Sequence, residues 1–367
     1  MGESDHAKQI TYLLIFIAAA IFFAILKITA QVLIPVVLAV MLSFVMLPIV
    51  RTMNKMHLPW ILNVVIVTII LVACIAVIGT LIGASLRTIV SQYGKYESKF
   101  LSIYEFVAEK LNLKFDAHLS FFNNIQSALE GQIDIHGAIK KGIFTFSENM
   151  LSLVRNTLVV VLMFIFLLVE MHLTGEKLKE AFEGKMKGRM MNIVRRTMTQ
   201  VVRFLFIKFF ISLATGVLVF LSAKLVGLDF PVVWGFIAFV LNFIPTFGSI
   251  VSVAATSLFA LLQFFPQPEP IVFIFLIMVA INMILGNFLE PRIEGTNLGI
   301  SPFVILVMLS LWGWMWGFVG MILAVPLTVI IKIFCENIPM LHPVAILIGN
   351  KPQDTKMEIS TDEKSEE

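Results

Sequence analysis

The chain has 367 residues, of which 59% are hydrophobic and 14% charged, with a mean hydropathy of +0.95 and a formal net charge of +3. Soluble domains carry about 25% charge, and a chain this apolar cannot cover its surface with polar groups, so a soluble globular protein is excluded. Composition points to an all-α polytopic membrane protein with about eight hydrophobic segments, since each helical span needs about 20 apolar residues. The basic residues flank apolar runs, which marks membrane topology and excludes a nucleic-acid partner.

Three apolar runs open the chain as a first group of transmembrane spans over residues 1–86. Ile10–Lys27 reads as a retained span, because the polar segment MGESDHAKQ is followed by no small-residue cleavage pattern. Thr29–Val50 is the second span, expected to end at Pro48 and the basic loop RTMNKMHLP, and Trp60–Leu86 is the third. Residues 87–149 then mix both signs of charge. There Tyr93, Tyr96, Phe100, Ile103, Val107 and Leu111 recur at helical spacing, which predicts an extracytoplasmic region of amphipathic helices.

A transport core is expected over residues 150–350. Met150–Val169 is its first span, followed by a basic cytoplasmic loop at 171–200 rich in Lys and Arg. Val201–Val226 is the next span and carries Lys208 well inside the apolar run, where reaching the interface is difficult. A lysine so placed needs a carboxylate, carbonyls or an anionic ligand, with Glu170 and Glu290 as candidate partners. Pro231–Gln263 and Pro302–Phe334 are both longer than one span requires, and both open with Pro, which suits a first helical turn. The first is broken at NFIPTFGS, where Pro245 removes a donor and Asn242, Thr246, Gly248 and Ser249 gather. The second is broken at GWMWGFVG, around Gly317 and Gly320, and is expected to break again at Pro326. Backbone groups freed at such breaks must be satisfied by protein or by a watery cavity. Paired interrupted segments of this kind point to a transporter's binding site, either as re-entrant hairpins or as kinked spans.

Pro270–Leu289 lies between these two segments and ends in GNFLEPRIEG. Asn282, Gly286 and Glu290 recur at a four-residue spacing and would share one face of an α-helix, with Asn287 alongside. Pro291 is expected to end that helix, leaving Glu290 near a helix C-terminus that disfavours its charge unless Arg292 or another cation compensates. Trp312, Trp314 and Trp316 read as an interfacial belt, with closure of a pore as the alternative, and Cys74 and Cys335 read as small buried hydrophobes. The polar residues 351–367 read as a disordered cytoplasmic tail, and the distribution of Lys and Arg places both termini in the cytoplasm. No GxxxxGK[ST] loop is present, so transport would be secondary and not ATP-driven, and neither a cofactor nor a metal is expected.

RFLFIKFFISLATG, GLDFPVVWGFIAFVLNFIPTFGSI and GNFLEPRIEGTNLGISPFVILVMLSLWGWMWGFVGMILAVPLT, in that order and spacing, resemble the autoinducer-2 exporter family of bacterial permeases. The resemblance covers nearly the whole chain, and Lys208 with the WGWMWG run looks closest to the quorum-signal exporter branch. It implies a homo-oligomeric transporter of the bacterial inner membrane that exports autoinducer-2 or a similar small polar solute. Other members of the family are linked to sodium–proton exchange, so a sodium(lithium)–proton antiporter using a membrane carboxylate is the alternative, and H+ or Na+ is the candidate coupling ion. The substrate path is expected to run along Lys208, Asn242, Pro245, Thr246, Gly248, Ser249, Asn282, Asn287, Glu290, Arg292, Gly317 and Gly320.

Overall fold

A computed structural model describes residues 3–111, 156–171, 177, 184–294, 299–338 and 341–350. The remainder of the amphipathic region beyond residue 111, residues 172–176 and 178–183 of the expected basic loop and the tail from 351 fall outside the described residues, and residues 184–200 of that loop are instead helical, continuous with the next span. The protein is an all-α polytopic membrane protein. Among the described residues, six helices are long and apolar enough to cross a membrane.

The helices are α1 Glu3–Ile28, α2 Ala30–Lys55, α3 Trp60–Ser91, α4 Tyr93–Leu111, α5 Asn156–Met171, α6 Gly184–Val226, α7 Pro231–Leu241, α8 Phe247–Phe264, α9 Pro268–Asn282, α10 Glu290–Glu294, α11 Pro302–Asn337 and α12 His342–Ile348. A π-helical stretch, Met283–Leu289, joins α9 to α10. Prolines occupy the first turns of α7, α9 and α11, where a missing N–H leaves no bond unmade. Three expected stops, at Pro48, Pro291 and Pro326, do not occur. Helix α2 runs through Pro48 to Lys55, and α11 runs through the buried Pro326 to Asn337. Proline interrupts one bond of a ladder whose other bonds persist when neighbouring helices hold the turn in place. Cys335 is buried as expected, but Cys74 is exposed on α3.

The described parts fall into two compact units, 1–47 with 167–206 and 294–367, and 48–166 with 207–293. In the second unit, α7 and α8 form a helical hairpin. A Cβ built on Gly248 would overlap the carbonyl of Leu241, whereas a continuous helix would hold those residues about 10 Å apart. At the hairpin's base the Gln263 amide oxygen accepts from the Asp229 N–H at 2.7 Å, and its Nε2 donates to the Gly227 carbonyl at 2.8 Å. The core of this unit joins Ile211, Val219 and Ala223 of α6 to Ala238 of α7, Ala260 of α8, and Ile274, Met278 and Ile281 of α9. Helices α6 and α7 cross at glycine. A Cβ on Gly216 would lie 2.8 Å from the Gly235 carbonyl oxygen, and one on Gly235 would lie 2.7 Å from the Gly216 carbonyl oxygen.

Helix α4, the described part of the amphipathic region, packs on the base of this hairpin. Tyr96 is buried with Phe230 and Leu262, and Ile103 lies against them. Lys95 Nζ and the Tyr96 hydroxyl each donate to Asp229 Oδ2 at 2.7 Å, and Lys99 Nζ donates to the Phe265 carbonyl at 3.1 Å. Burial raises the Asp229 pKa, but the bonds from Lys95 and Tyr96 outweigh it and hold the carboxyl below its ordinary value. Burial and the neighbouring Asp229 together push the Tyr96 phenol far above its usual range.

The first unit contains the second hairpin. Within α11, Gly317 takes φ 62° and ψ −142°, a conformation open to glycine, and the chain reverses there. A Cβ on Gly320 would overlap the Trp312 carbonyl, and one on Gly313 would lie 2.9 Å from Met321 Cγ. An unbroken helix would hold each of these pairs about 12 Å apart. Near the base of this hairpin, Lys332 Nζ donates to the Gly299 carbonyl at 3.0 Å.

Candidate functional site

Helix α6 places Lys208, Ser212 and Thr215 on one face at i, i+4 and i+7, and all three are buried. Lys208 forms an ion pair with Glu290, their side chains being 5% and 17% exposed respectively. The compensating cation for Glu290 is therefore Lys208, while Arg292 is exposed. One turn further along α6, Ser212 Oγ accepts from Asn242 Nδ2 at 2.9 Å, which ties the tip of the first hairpin to the same face. Thr215 satisfies its hydroxyl on the Ile211 carbonyl of its own helix at 2.9 Å.

The tip of the first hairpin does not leave its amides free, contrary to expectation. The Asn242 N–H donates to Ala238, Phe243 to Val240, Ile244 to Leu241 and Gly248 to Ile244, at 2.9–3.3 Å. Phe247 N–H donates to the Pro245 carbonyl at 2.6 Å, closing a tight turn centred on Thr246, whose φ of 63° and ψ of −57° are rare for a residue with a Cβ. Ser249 Oγ donates to the Thr246 carbonyl at 2.9 Å. A short turn thus absorbs most of the polar backbone, because an abrupt reversal closes its own hydrogen bonds where a gentle unwinding would not.

Glu290 reaches Lys208 by a route the α-helical spacing does not contain. Its N–H donates to the Leu285 carbonyl, a π-type bond, at the end of the widened stretch Met283–Leu289. Pro291 follows directly and does not end the helix, which continues to Glu294. Proline lacks an N–H and its ring crowds the carbonyl four residues earlier, and the wider preceding turn gives that ring room. The expected shared face of Asn282, Gly286 and Glu290 is lost with the change of period. Asn282 Nδ2 donates to the Met278 carbonyl at 2.9 Å within its own helix, and Asn287 is exposed.

The structure thus joins Lys208 with Glu290, and gathers Asn242, Pro245, Thr246, Gly248 and Ser249 at one tip. Gly317 and Gly320 form the tip of the other hairpin, and Asn282, Asn287 and Arg292 join neither group. Ser212 was not anticipated, although its position one turn after Lys208 is a readable polar stripe. The indoles do not form a belt: Trp312 and Trp316 are buried, and Trp314 alone is exposed. In the second unit, an internal ion pair and an amide–hydroxyl bond border a hairpin tip among apolar helices. Such groups are costly at membrane depth, are kept there paired, and mark candidate pathways.

Comparison with known proteins supplies the family. The model of the AI-2E family transporter matches residues 11–340. A protein of Borreliella burgdorferi that carries only a provisional transport-protein name is 29% identical over 90% of this chain and 88% of its own. The AI-2 transport protein TqsA of Escherichia coli K12 is 28% identical over 89% of this chain and 91% of its own. A Haemophilus influenzae protein with the same provisional kind of name is 29% identical over 91% of this chain and 94% of its own. With its apolar helices, two broken hairpins and this match, the chain belongs to the AI-2E transporter family and is a multi-pass membrane transporter.

Proposed function

We propose that the protein is a secondary transporter that exports autoinducer-2 or a similar small polar solute along a path bordered by Lys208, Glu290, Ser212 and Asn242. The observation that carries this is the buried Lys208–Glu290 pair, one helical turn from the bond that holds the hairpin tip. Helix α7 has 11 residues, about 16 Å of rise against a hydrocarbon core of about 30 Å, so it is too short to cross by itself, which supports a re-entrant hairpin. The solute is taken from the TqsA relative, which is named as an AI-2 transport protein. Charge in the short loops supports an inner-membrane orientation with both termini in the cytoplasm, and a homo-oligomer follows the family resemblance.

The test is efflux of autoinducer-2 from proteoliposomes, with and without an imposed proton gradient. Export by the wild-type protein and its loss in Lys208→Met, with insertion unchanged, is expected. Normal export by that variant removes Lys208 from the path. Sodium(lithium)–proton exchange on Glu290 is the second reading. It is weakened because Lys208 already neutralises the carboxylate that a cation would need. Cation exchange that disappears in Glu290→Gln would restore it.

A further inference from the structure

Three indoles crowd the tip of the second hairpin, and two have clear roles. Trp316 Nε1–H donates to the Leu26 carbonyl of α1 at 3.1 Å. Trp314 carries the Lys27 ammonium 3.3 Å from its ring centroid. Trp312 is 4% exposed, its ring lies 5.0 Å from that of Trp316, and its Nε1–H has no acceptor. A buried donor without a partner is destabilising and rare in folded proteins. Phenylalanine would supply most of the same apolar bulk without that N–H. Trp312 is also placed where the chain reverses. Its carbonyl is covered by Gly320, just across the non-helical Gly317.

We propose that the Trp312 indole N–H is a solute-binding donor of the transport cycle, shielded in this conformation and presented to the solute when the tip of the second hairpin opens. This rests on the transporter reading above and deepens it. An indole N–H donates and never accepts, so it recognises an oxygen acceptor such as a hydroxyl, ether or carbonyl group. A bare cation has no lone pair to offer, and an oxygen-bearing organic solute does. Trp314 and Trp316 fix the tip against α1, which leaves Trp312 as the indole of this tip whose N–H has no acceptor.

Two arms test this in full-length protein reconstituted in liposomes. In a background with Cys74 and Cys335 replaced by alanine, Trp312→Cys, Leu309→Cys and Leu323→Cys are exposed to a membrane-impermeant thiol reagent. All three positions are buried on the same hairpin. Reaction at 312 with none at 309 and 323 supports the proposal. Silence at 312 overturns it, and equal reaction at all three overturns it as well, because the hairpin would then merely fray. In the second arm, Trp312→Phe is compared with wild type for thermal unfolding and for autoinducer-2 efflux. Removing an orphan donor should raise the unfolding midpoint by about 1–3 °C, while the KM for autoinducer-2 rises about tenfold. An unchanged KM in protein that exports autoinducer-2 overturns the assignment. If the wild-type protein exports none, the autoinducer-2 reading falls and the thiol arm still decides the role of Trp312.

Discussion

Removing one member of the Lys208–Glu290 pair should cost far more than removing both. Breaking a buried pair leaves an uncompensated charge, at about 3–5 kcal/mol, whereas replacing both partners with neutral groups is often close to neutral. The two sides of this pair are not equally enclosed. Lys208 is 5% exposed and Glu290 17%. A Glu290 left alone in Lys208→Met recovers some hydration and falls near the lower bound of about 3 kcal/mol, while a Lys208 left alone in Glu290→Gln falls near the upper bound of about 5 kcal/mol. At about 2.1 cal/mol/K per residue, a chain of 367 residues has an unfolding entropy of about 0.8 kcal/mol/K. The two single variants should therefore unfold about 4 °C and about 6 °C below wild type, and the double variant within about 1–2 °C of it. Thermal unfolding of the four proteins in one detergent reads all three values, and efflux assays on the same samples separate stability from transport. A double variant as unstable as the sum of the singles would refute the idea that the pair is one energetic unit. A Lys208→Met protein less stable than Glu290→Gln would refute the ranking by burial.

Glycines at the tips should not be interchangeable with those elsewhere. Gly248→Ala and Gly320→Ala each drive a Cβ into a backbone carbonyl and should cost at least about 1–3 kcal/mol, whereas Gly286→Ala meets nothing within 4 Å and should be tolerated or slightly stabilising, as equilibrium unfolding would show. Asn242→Ala and Ser212→Ala should each weaken the protein by about 0.5–1.5 kcal/mol and should not add in the double variant, because they remove the same bond; strict additivity would show that the bond contributes nothing. The tie between α4 and the first hairpin should be sensitive to acid. Because the folded-state pKa of Asp229 is lowered, the stabilisation is present at neutral pH and is lost as pH falls through that value, below the ordinary 3.8. Hydrogen-exchange protection in α4, taken relative to the intrinsic rate at each pH, should therefore fall below that pH in wild type and already at neutral pH in Asp229→Asn, and identical protection in both proteins would refute the tie.

Breaks in the two long segments were legible because glycine and proline cluster there and weaken the helical backbone locally. The two breaks differ in kind: the first turns at Thr246 beside Pro245, and the second reverses at Gly317, whereas Pro48, Pro291 and Pro326 lie within helices. Proline removes one bond, and the remaining ladder with its tertiary packing decides whether the helix continues. Lys208 was marked by its depth in an apolar run, and Glu290 stood among its candidate partners. Choosing between candidates needs the fold, since the two residues are 82 positions apart. The π-type stretch before Glu290 was not legible, because a helical wheel assumes one period throughout. The unpaired Trp312 was equally hidden, since an absent partner is a property of packing and not of composition.

Where α6 crosses α7, the two backbones meet through Gly216 and Gly235. Interlocked side chains resist sliding because each must leave one groove before entering the next. At that crossing neither glycine has a side chain to lift out, and the Cβ atoms of Phe239 and Phe220 sit against the bare backbone opposite, so slip of the hairpin along its neighbour meets only those two knobs. A bulkier residue at either position would act as a ratchet tooth. Gly235→Val should therefore slow turnover more than it weakens solute affinity, and equal loss of both would mean that the bearing surface is elsewhere.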